Sequence, residues 1–211
     1  MILWVFDNDG TLYSDFGAGK QFQIIFNRYI SEELGIHESE IDERIDFLKA
    51  KYATDFSLVA IMQEFNVNFA EVVAETYLQI DLHSCGVPEI DEEKSDVLSR
   101  LPGKKIVFTN NPSEYADYVL IRMGLRTYFS DVIGMEEVGF VLKPQISAYQ
   151  YIQDTYQGCS RIIFCDDRKE NLDTAKELGW ETALATYINP LHKNDQTHMQ
   201  LDSFEKLLTL V

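Results

Sequence analysis

The sequence has no long apolar run and few cysteines. None of its hydrophobic segments approaches the roughly 20 residues that a membrane-spanning helix needs. Its three cysteines, Cys85, Cys159 and Cys165, are odd in number and have no repeated spacing, which argues against a disulfide framework. The amino-terminal stretch lacks the basic start of a signal peptide. We therefore expect a cytoplasmic protein with reduced thiols and no membrane partner.

Basic residues are also scarce. The chain has 18 Lys and Arg against 35 Asp and Glu, which gives a formal net charge of −17. A nucleic-acid backbone is bound by clusters of Lys and Arg, so the composition argues against a nucleic-acid partner. An anionic ligand would be repelled at long range and would need positive charge placed locally.

Two glycine-rich nucleotide motifs are missing. The stretch "FGAGKQ" (16–21) is only superficially similar to a phosphate-binding loop. Ser14 stands where that loop needs glycine, and Gln21 stands where it needs Ser or Thr. No G-x-G-x-x-G follows the first predicted strand, which excludes the dinucleotide-binding fingerprint as well.

Apolar residues make up 45% of the 211 positions, enough for one domain or for one domain with an insertion. Residues 16–80 show helical spacing only, whereas strands and helices alternate later. Strands are predicted at 2–6, 104–110, 131–134, 161–167 and 181–186, and helices of the later region at 91–101, 113–124, 145–156, 170–179 and 202–210. This order predicts an α/β fold, a Rossmann-like parallel sheet flanked by helices. Its core would comprise residues 1–15 and 86–211, and residues 16–85 would form an inserted all-helical domain.

Polar residues follow several of the predicted strands. Because ligands of an open parallel sheet bind beyond the carboxyl ends of its strands, we expect these residues to lie at one edge. The set comprises Asp7, Asn8 and Asp9 after the first strand, Thr109 and Asn110 after the second, Asp166 and Asp167 after the fourth, and Lys143 in a loop before a helix.

Four carboxylates at one edge cannot all stay ionised without a cation. Mg²⁺ fits, since it binds carboxylates, waters and phosphate oxygens. Simpler interpretations stay open for each group: Thr109 and Asn110 as a helix cap, Asp166 and Asp167 as a cap of the next helix, and Lys143 as a surface lysine. Asn171 is interpreted as a local hydrogen-bonding residue.

The aspartates of "DNDGTLY" (7–13) also suit phosphoryl transfer. One would attack phosphorus and form an aspartyl-phosphate. The other would protonate the leaving oxygen and then deprotonate water. Gly10 allows the sharp turn behind them.

These residues together resemble the haloacid dehalogenase (HAD) superfamily of phosphotransferases, whose motifs occur in order as "DNDGTLY" (7–13), "FTNN" (108–111), "KP" (143–144) and "DDRKEN" (166–171). The resemblance implies a helical cap at 16–85 that closes over the site. It also implies roles for single residues: Asp7 as nucleophile, Asp9 as general acid/base and Mg²⁺ ligand through its carbonyl, Thr109 and Asn110 at the phosphate, Lys143 at nucleophile and phosphate, Asp167 as principal Mg²⁺ ligand and Asp166 as its helper.

A narrower resemblance concerns the substrate, a small phosphorylated metabolite. "LKAKYATDFSLVAIMQEFNVN" and "LPGKKIVFTNNPSEYADYVLIRMG" are similar to the pyrimidine 5′-nucleotidase subgroup, which dephosphorylates UMP and CMP. Gly10 departs from that subgroup, which usually carries asparagine there. Dehalogenases of the superfamily lack the second aspartate of the first motif, so Asp9 favours phosphoryl chemistry.

Three alternatives remain. One is a sugar-phosphate or phosphoglycolate phosphatase, or a phosphomutase, on the same scaffold. Another is a non-catalytic phosphate-binding protein. The third is a receiver-type signalling domain, which also gathers aspartates, Thr and Lys around Mg²⁺ but places its acidic pair after the first strand and has no helical insertion.

Overall fold

The apolar amino-terminal run forms the strand β1 (Ile2–Phe6) in the middle of a parallel sheet. The structure, a computed structural model, describes residues 1–188, 190, 193 and 195–211. The other strands are β2 (Lys104–Phe108), β3 (Asp131–Ile133), β4 (Arg161–Asp166), β5 (Glu181–Ala185) and β6 (Met199–Leu201). They lie in the order β3-β2-β1-β4-β5-β6, with every neighbouring pair parallel. The predicted α/β class is confirmed.

The chain divides into two compact units, one of residues 1–15 and 86–211 and the other of residues 16–85. The second unit contains α1 (Phe16–Leu34), α2 (Glu38–Tyr52), α3 (Ser57–Glu64) and α4 (Phe69–Glu75). The first unit contains the sheet, α5 (Glu92–Arg100), α6 (Ser113–Arg122), α7 (Ile146–Thr155) and α8 (Lys169–Glu177). None of the described helices is both long and apolar enough to cross a membrane.

The strand β1 is apolar at every position because both faces of the sheet are covered. On one face, Leu3 and Val5 belong to a buried cluster that α7 and α8 complete with residues such as Tyr149 and Leu172. On the other face, the ring of Phe6 lies 5.8 Å from Phe129 and 6.1 Å from Phe204. Because both faces of β1 are buried, its register in the sheet is fixed, and so is the position of the residues that follow it.

The helical unit 16–85 has its own core. In α2, Ile41, Ile45 and Leu48 recur at helical spacing and are buried, as expected of an amphipathic helix. The helical spacing that the sequence shows up to residue 80 is interrupted after α4: Thr76 donates from Oγ1 to the carbonyl of Val72 at 2.5 Å, and a 3₁₀ turn follows at Tyr77–Gln79.

Two carboxyl-terminal predictions differ from the structure. Residues 202–210 were expected to form an α-helix, but Phe204–Leu210 is a 3₁₀ helix. The edge strand β6 was not predicted at all. It has only three residues, Met199–Leu201, too few for an alternating pattern to be recognised.

Candidate active site

The carboxyl ends of three neighbouring strands bring the predicted residues of the first unit together. β1 lies between β2 and β4, with Phe6 opposite Val107 on one side and Cys165 on the other. Asp7 therefore follows β1 beside Asp166, the last residue of β4, and its N–H donates to the carbonyl of Cys165 at 2.8 Å. Parallel pairing alone thus places the first and last motifs side by side.

Lys143 lies at the centre of this edge and is buried. Its Nζ donates to Asp7 Oδ1 at 2.7 Å, to Asp166 Oδ2 at 3.0 Å and to the carbonyl of Phe108 at 2.8 Å. An ammonium has three protons, and here each has a protein acceptor. Lys143 follows a loop and precedes a cis peptide bond to Pro144. The geometry makes Lys143 the cation that holds the two carboxylates together.

The charges of this group shift each other's pKa values. Burial raises the pKa of Asp7 well above its usual value; Lys143 opposes that effect, whereas Asp166, Asp9 and Asp167 add to it. For Lys143, burial would lower the pKa, but Asp166 and Asp7 outweigh burial and raise it. The lysine therefore stays charged, and a single ammonium does not compensate the surrounding carboxylates.

Three of the predicted metal ligands form one group. Asp7, Asp166 and Asp167 each offer a carboxylate oxygen, and these atoms lie within 4.8 Å of one another. An all-oxygen, acidic donor set suits a hard divalent cation such as Mg²⁺. The residues present therefore fit the ion that the sequence predicted, although the carboxylate of Asp9 is not a member of this group.

Asp166 is itself held in place by its neighbours. It accepts from the N–H of Arg168 at 2.8 Å and from Asn171 Nδ2 at 3.1 and 2.9 Å. Asn171 lies in the first turn of α8. Its amide group orients Asp166, a local role that agrees with its interpretation from the sequence.

A tight turn follows Asp9, whose carboxylate does not belong to the group of Asp7, Asp166 and Asp167. The N–H of Gly10 donates to the carbonyl of Tyr13 at 2.9 Å, and that of Leu12 donates to the carbonyl of Asn8 at 2.8 Å. Gly10 has φ of +81°, a conformation that glycine adopts at little cost. A β-carbon at Gly10 would lie 2.7 Å from Asp167 Oδ2, so the missing side chain also makes room for a predicted metal ligand.

The carboxylate of Asp9 is bound by hydroxyl and amide groups. The hydroxyl of Tyr13 donates to Oδ1, while Thr109 Oγ1 and Asn8 Nδ2 each donate to Oδ2 at 3.3 Å. Burial raises the pKa of Tyr13 well above its usual value, and the charge of Asp9 adds to this effect. Tyr13 is therefore a neutral donor. Tyr13 was not predicted as a site residue, although it ends the motif "DNDGTLY".

The side chain of Asn110 is bound to the main chain of Lys143. Its Oδ1 accepts from the N–H of Lys143 at 2.8 Å, and its Nδ2 donates to the carbonyl of Lys143 at 2.9 Å. These two bonds tie the loop of Lys143 to the end of β2. The phosphate contacts of Asn110 and Thr109 stay predictions.

No family profile matches the sequence, and no curated protein matches it. Solved structures do. A HAD phosphatase from Thermococcus onnurineus has a TM-score of 0.65 at 18% identity, covering 100% of this chain and 97% of that one. The HAD-hydrolase YfnB from Bacillus subtilis, bound to magnesium, has a TM-score of 0.58 at 17% identity over 99% and 97% of the two chains. An L-2-haloacid dehalogenase from Xanthobacter autotrophicus has a TM-score of 0.57 at 15% identity over 100% and 98%. The chain therefore has the fold of the HAD-superfamily hydrolases.

Proposed function

We propose that this protein is a Mg²⁺-dependent phosphatase that hydrolyses a small phosphate monoester through an aspartyl-phosphate. One observation carries the proposal: Asp7 is bound to Lys143 beside Asp166, whereas Asp9, two residues on, is bound to hydroxyl groups. The two aspartates of one motif thus have different surroundings, as a nucleophile and a general acid require.

In the first step, a carboxylate oxygen of Asp7 forms a bond to phosphorus as the bond between phosphorus and the leaving oxygen breaks. Asp9 gives its proton to that oxygen, and the alcohol departs. In the second step, Asp9 takes a proton from water, whose oxygen attacks phosphorus and releases phosphate from Asp7. Asp7, Asp166, Asp167 and the carbonyl of Asp9 would hold Mg²⁺, which supplies neutralisation of charge on the transferring group.

The substrate proposal rests on sequence resemblance. We propose a pyrimidine nucleoside 5′-monophosphate, with a sugar phosphate or phosphoglycolate as the alternative, and residues 16–85 as the cap that selects among them. We also propose a cytoplasmic location, because the cysteines are few, odd in number and irregularly spaced. A receiver domain is disfavoured because its sheet has the order 2-1-3-4-5, which differs from the order observed here.

Phosphate release from a panel of monoesters, in Mg²⁺ and in chelator, tests the proposal. The panel contains UMP, CMP, AMP, phosphoglycolate and several sugar phosphates. We expect release that depends on Mg²⁺, with UMP and CMP turned over fastest. Another preferred ester would retain the chemistry and remove the nucleotidase assignment, whereas release that is equally fast in chelator would contradict the metal-dependent mechanism.

A further inference from the structure

Two buried tyrosines lie behind Asp9 and have no role in the chemistry described above. Tyr13 and Tyr115 are each only 2% exposed, and their hydroxyl oxygens are 2.9 Å apart. The Tyr13 hydroxyl also donates to Asp9 Oδ1. The hydroxyl of Tyr13 thus contacts two groups, the hydroxyl of Tyr115 and the carboxylate of Asp9.

Two separate parts of the first unit bring these groups together. Tyr13 is fixed next to Asp9 by the turn after β1, where Asp9 and Tyr13 form an isolated β-bridge. Tyr115 belongs to the first turn of α6, the helix that follows the Thr109 loop. The hydroxyl contact therefore joins the elements that carry the first and second motifs.

The direction of the hydrogen bonds follows from the number of protons. An ionised carboxylate can only accept, and a phenol has one proton to donate. The proton of Tyr13 is directed to Asp9, so Tyr115 donates to the oxygen of Tyr13. A series of hydrogen bonds therefore runs from Tyr115 through Tyr13 to Asp9. Hydrogen bonds in such a series polarise and strengthen each other.

This series of hydrogen bonds makes the surroundings of the two carboxylate oxygens of Asp9 different. Oδ1 is occupied by Tyr13, whereas Oδ2 has only the two longer contacts, with Thr109 Oγ1 and Asn8 Nδ2 at 3.3 Å each, and Thr109 is on the side where the phosphate is predicted. We propose that Tyr13, supported by Tyr115, is a positioning residue that fixes the Asp9 carboxylate so that Oδ2 exchanges the proton with the leaving group and with water. This inference rests on the proposed phosphatase function.

Loss of the Tyr13 hydroxyl should lower kcat/KM most for esters with poor leaving groups. An alkoxide must be protonated as its bond to phosphorus breaks, whereas 4-nitrophenolate departs without a proton. The ratio kcat/KM covers the steps up to transfer of the phosphoryl group to Asp7, so it reports delivery of this proton. A purely structural role of Tyr13 would lower kcat/KM for both esters alike.

The experiment compares the alkyl ester that wild type turns over best with 4-nitrophenyl phosphate, in saturating Mg²⁺. For Tyr13→Phe we expect kcat/KM of the alkyl ester to fall about ten- to hundredfold, as for loss of a hydrogen bond to a charged group, and that of the aryl ester to fall much less. Tyr115→Phe should act in the same direction with a smaller loss, and it carries the test should Tyr13→Phe not fold.

Tyr156→Phe is the matched control. Its hydroxyl also donates to an aspartate, Asp131 Oδ2 at 2.8 Å. Asp131 is the first residue of β3 and therefore lies at the amino ends of the strands, opposite the candidate site. The kcat/KM of neither ester should change in this variant. An equal loss for both esters in Tyr13→Phe, or no loss for either, would overturn the inference in an active enzyme. A wild-type protein that releases phosphate from no ester would instead refute the proposed function, and the inference with it.

Discussion

The ammonium of Lys143 lies 2.7 Å from Asp7 Oδ1, and both side chains are buried. Because the same ammonium contacts Asp166 at 3.0 Å, it is the cation shared by the first and last motifs of the site. We therefore predict that Lys143 contributes to stability as well as to turnover.

Replacing Lys143 with methionine keeps an unbranched side chain but leaves Asp7 and Asp166 buried without their cation. Removing one partner of a buried ion pair costs about 3–5 kcal/mol, so the free energy of unfolding should fall by that order in chelator. Added Mg²⁺ should restore part of the loss, because a ligand that binds the folded state stabilises it. Urea titrations with and without Mg²⁺ measure both effects.

Lys206→Met provides the control for this prediction. Lys206 Nζ lies 3.4 Å from Asp202 Oδ1 in an exposed pair, where an ion pair contributes about 1 kcal/mol or less. Its unfolding should show a small loss that Mg²⁺ does not restore. Equal losses in the two variants would contradict the view of Lys143 as the cation of the site.

Gly10→Ala tests the space that Gly10 leaves for Asp167. The new β-carbon would lie 2.7 Å from Asp167 Oδ2 and would displace it. Changes to groups that orient metal ligands cost about 10–100-fold in metal affinity, so the Mg²⁺ concentration for half-maximal activity should rise by that order. Gly179→Ala is the control: Gly179 has φ of +82° but no atom within 4 Å of the added carbon. An equal rise in both variants would attribute the effect to backbone strain.

Asn110→Ala removes both side-chain bonds to the Lys143 main chain. Each unsatisfied buried group costs about 1–3 kcal/mol, and the Lys143 loop loses its tie to β2. We expect lower stability and a lower kcat. Asn110→Asp should also be impaired, because its second oxygen would face the carbonyl of Lys143. A fully active Asn110→Ala protein would show that this tie is dispensable.

His198, which lies outside the candidate active site, should make the stability of the protein depend on pH. Its ring contacts Thr182 Oγ1 at 2.8 Å and Asp173 Oδ1 at 3.1 Å. Burial lowers the pKa of His198 below 6.5, despite the opposing effect of Asp173. The unfolded chain then binds the proton more readily, so stability is complete well above pH 6.5 and falls as the pH decreases through that value.

Urea midpoints between pH 5 and pH 8 measure this slope for wild type and for His198→Gln. The wild-type midpoint should fall relative to that of the variant as the pH decreases, because groups such as Asp7, whose pKa is raised, titrate in both proteins. At pH 8 the difference in urea midpoint between the two proteins should reflect only the lost contacts of the His198 side chain, and this difference serves as the internal control. A slope of the same size in His198→Gln would assign it to another group.

The location of the site could be predicted because Asp7, Thr109 and Asp166 each stand at a strand end, and parallel strands end at one edge. Their separation in sequence does not hide this signal. The partners of Asp9 could not be predicted in the same way. Tyr13 and Tyr115 are 102 positions apart, and in sequence each is a plausible core aromatic residue.

The role of Asn110 was equally hidden. Its amide pairs with main-chain atoms of Lys143, 33 positions away, and main-chain positions leave no trace in the sequence. β6 escaped prediction for a different reason, since three residues at a sheet edge carry too little pattern. Long-range contacts, rather than local propensity, account for what the sequence did not predict.

Asp7 is the residue that we propose to carry the phosphoryl group. Turnover of a good ester in Mg²⁺ is stopped with acid, the protein is treated with borohydride, and its peptides are analysed by mass spectrometry. Reduction converts a phosphorylated aspartate to homoserine, which we expect at position 7 and nowhere in Asp7→Asn. Phosphate release from wild type without homoserine at position 7, or full turnover by Asp7→Asn, would show that Asp7 is not the nucleophile.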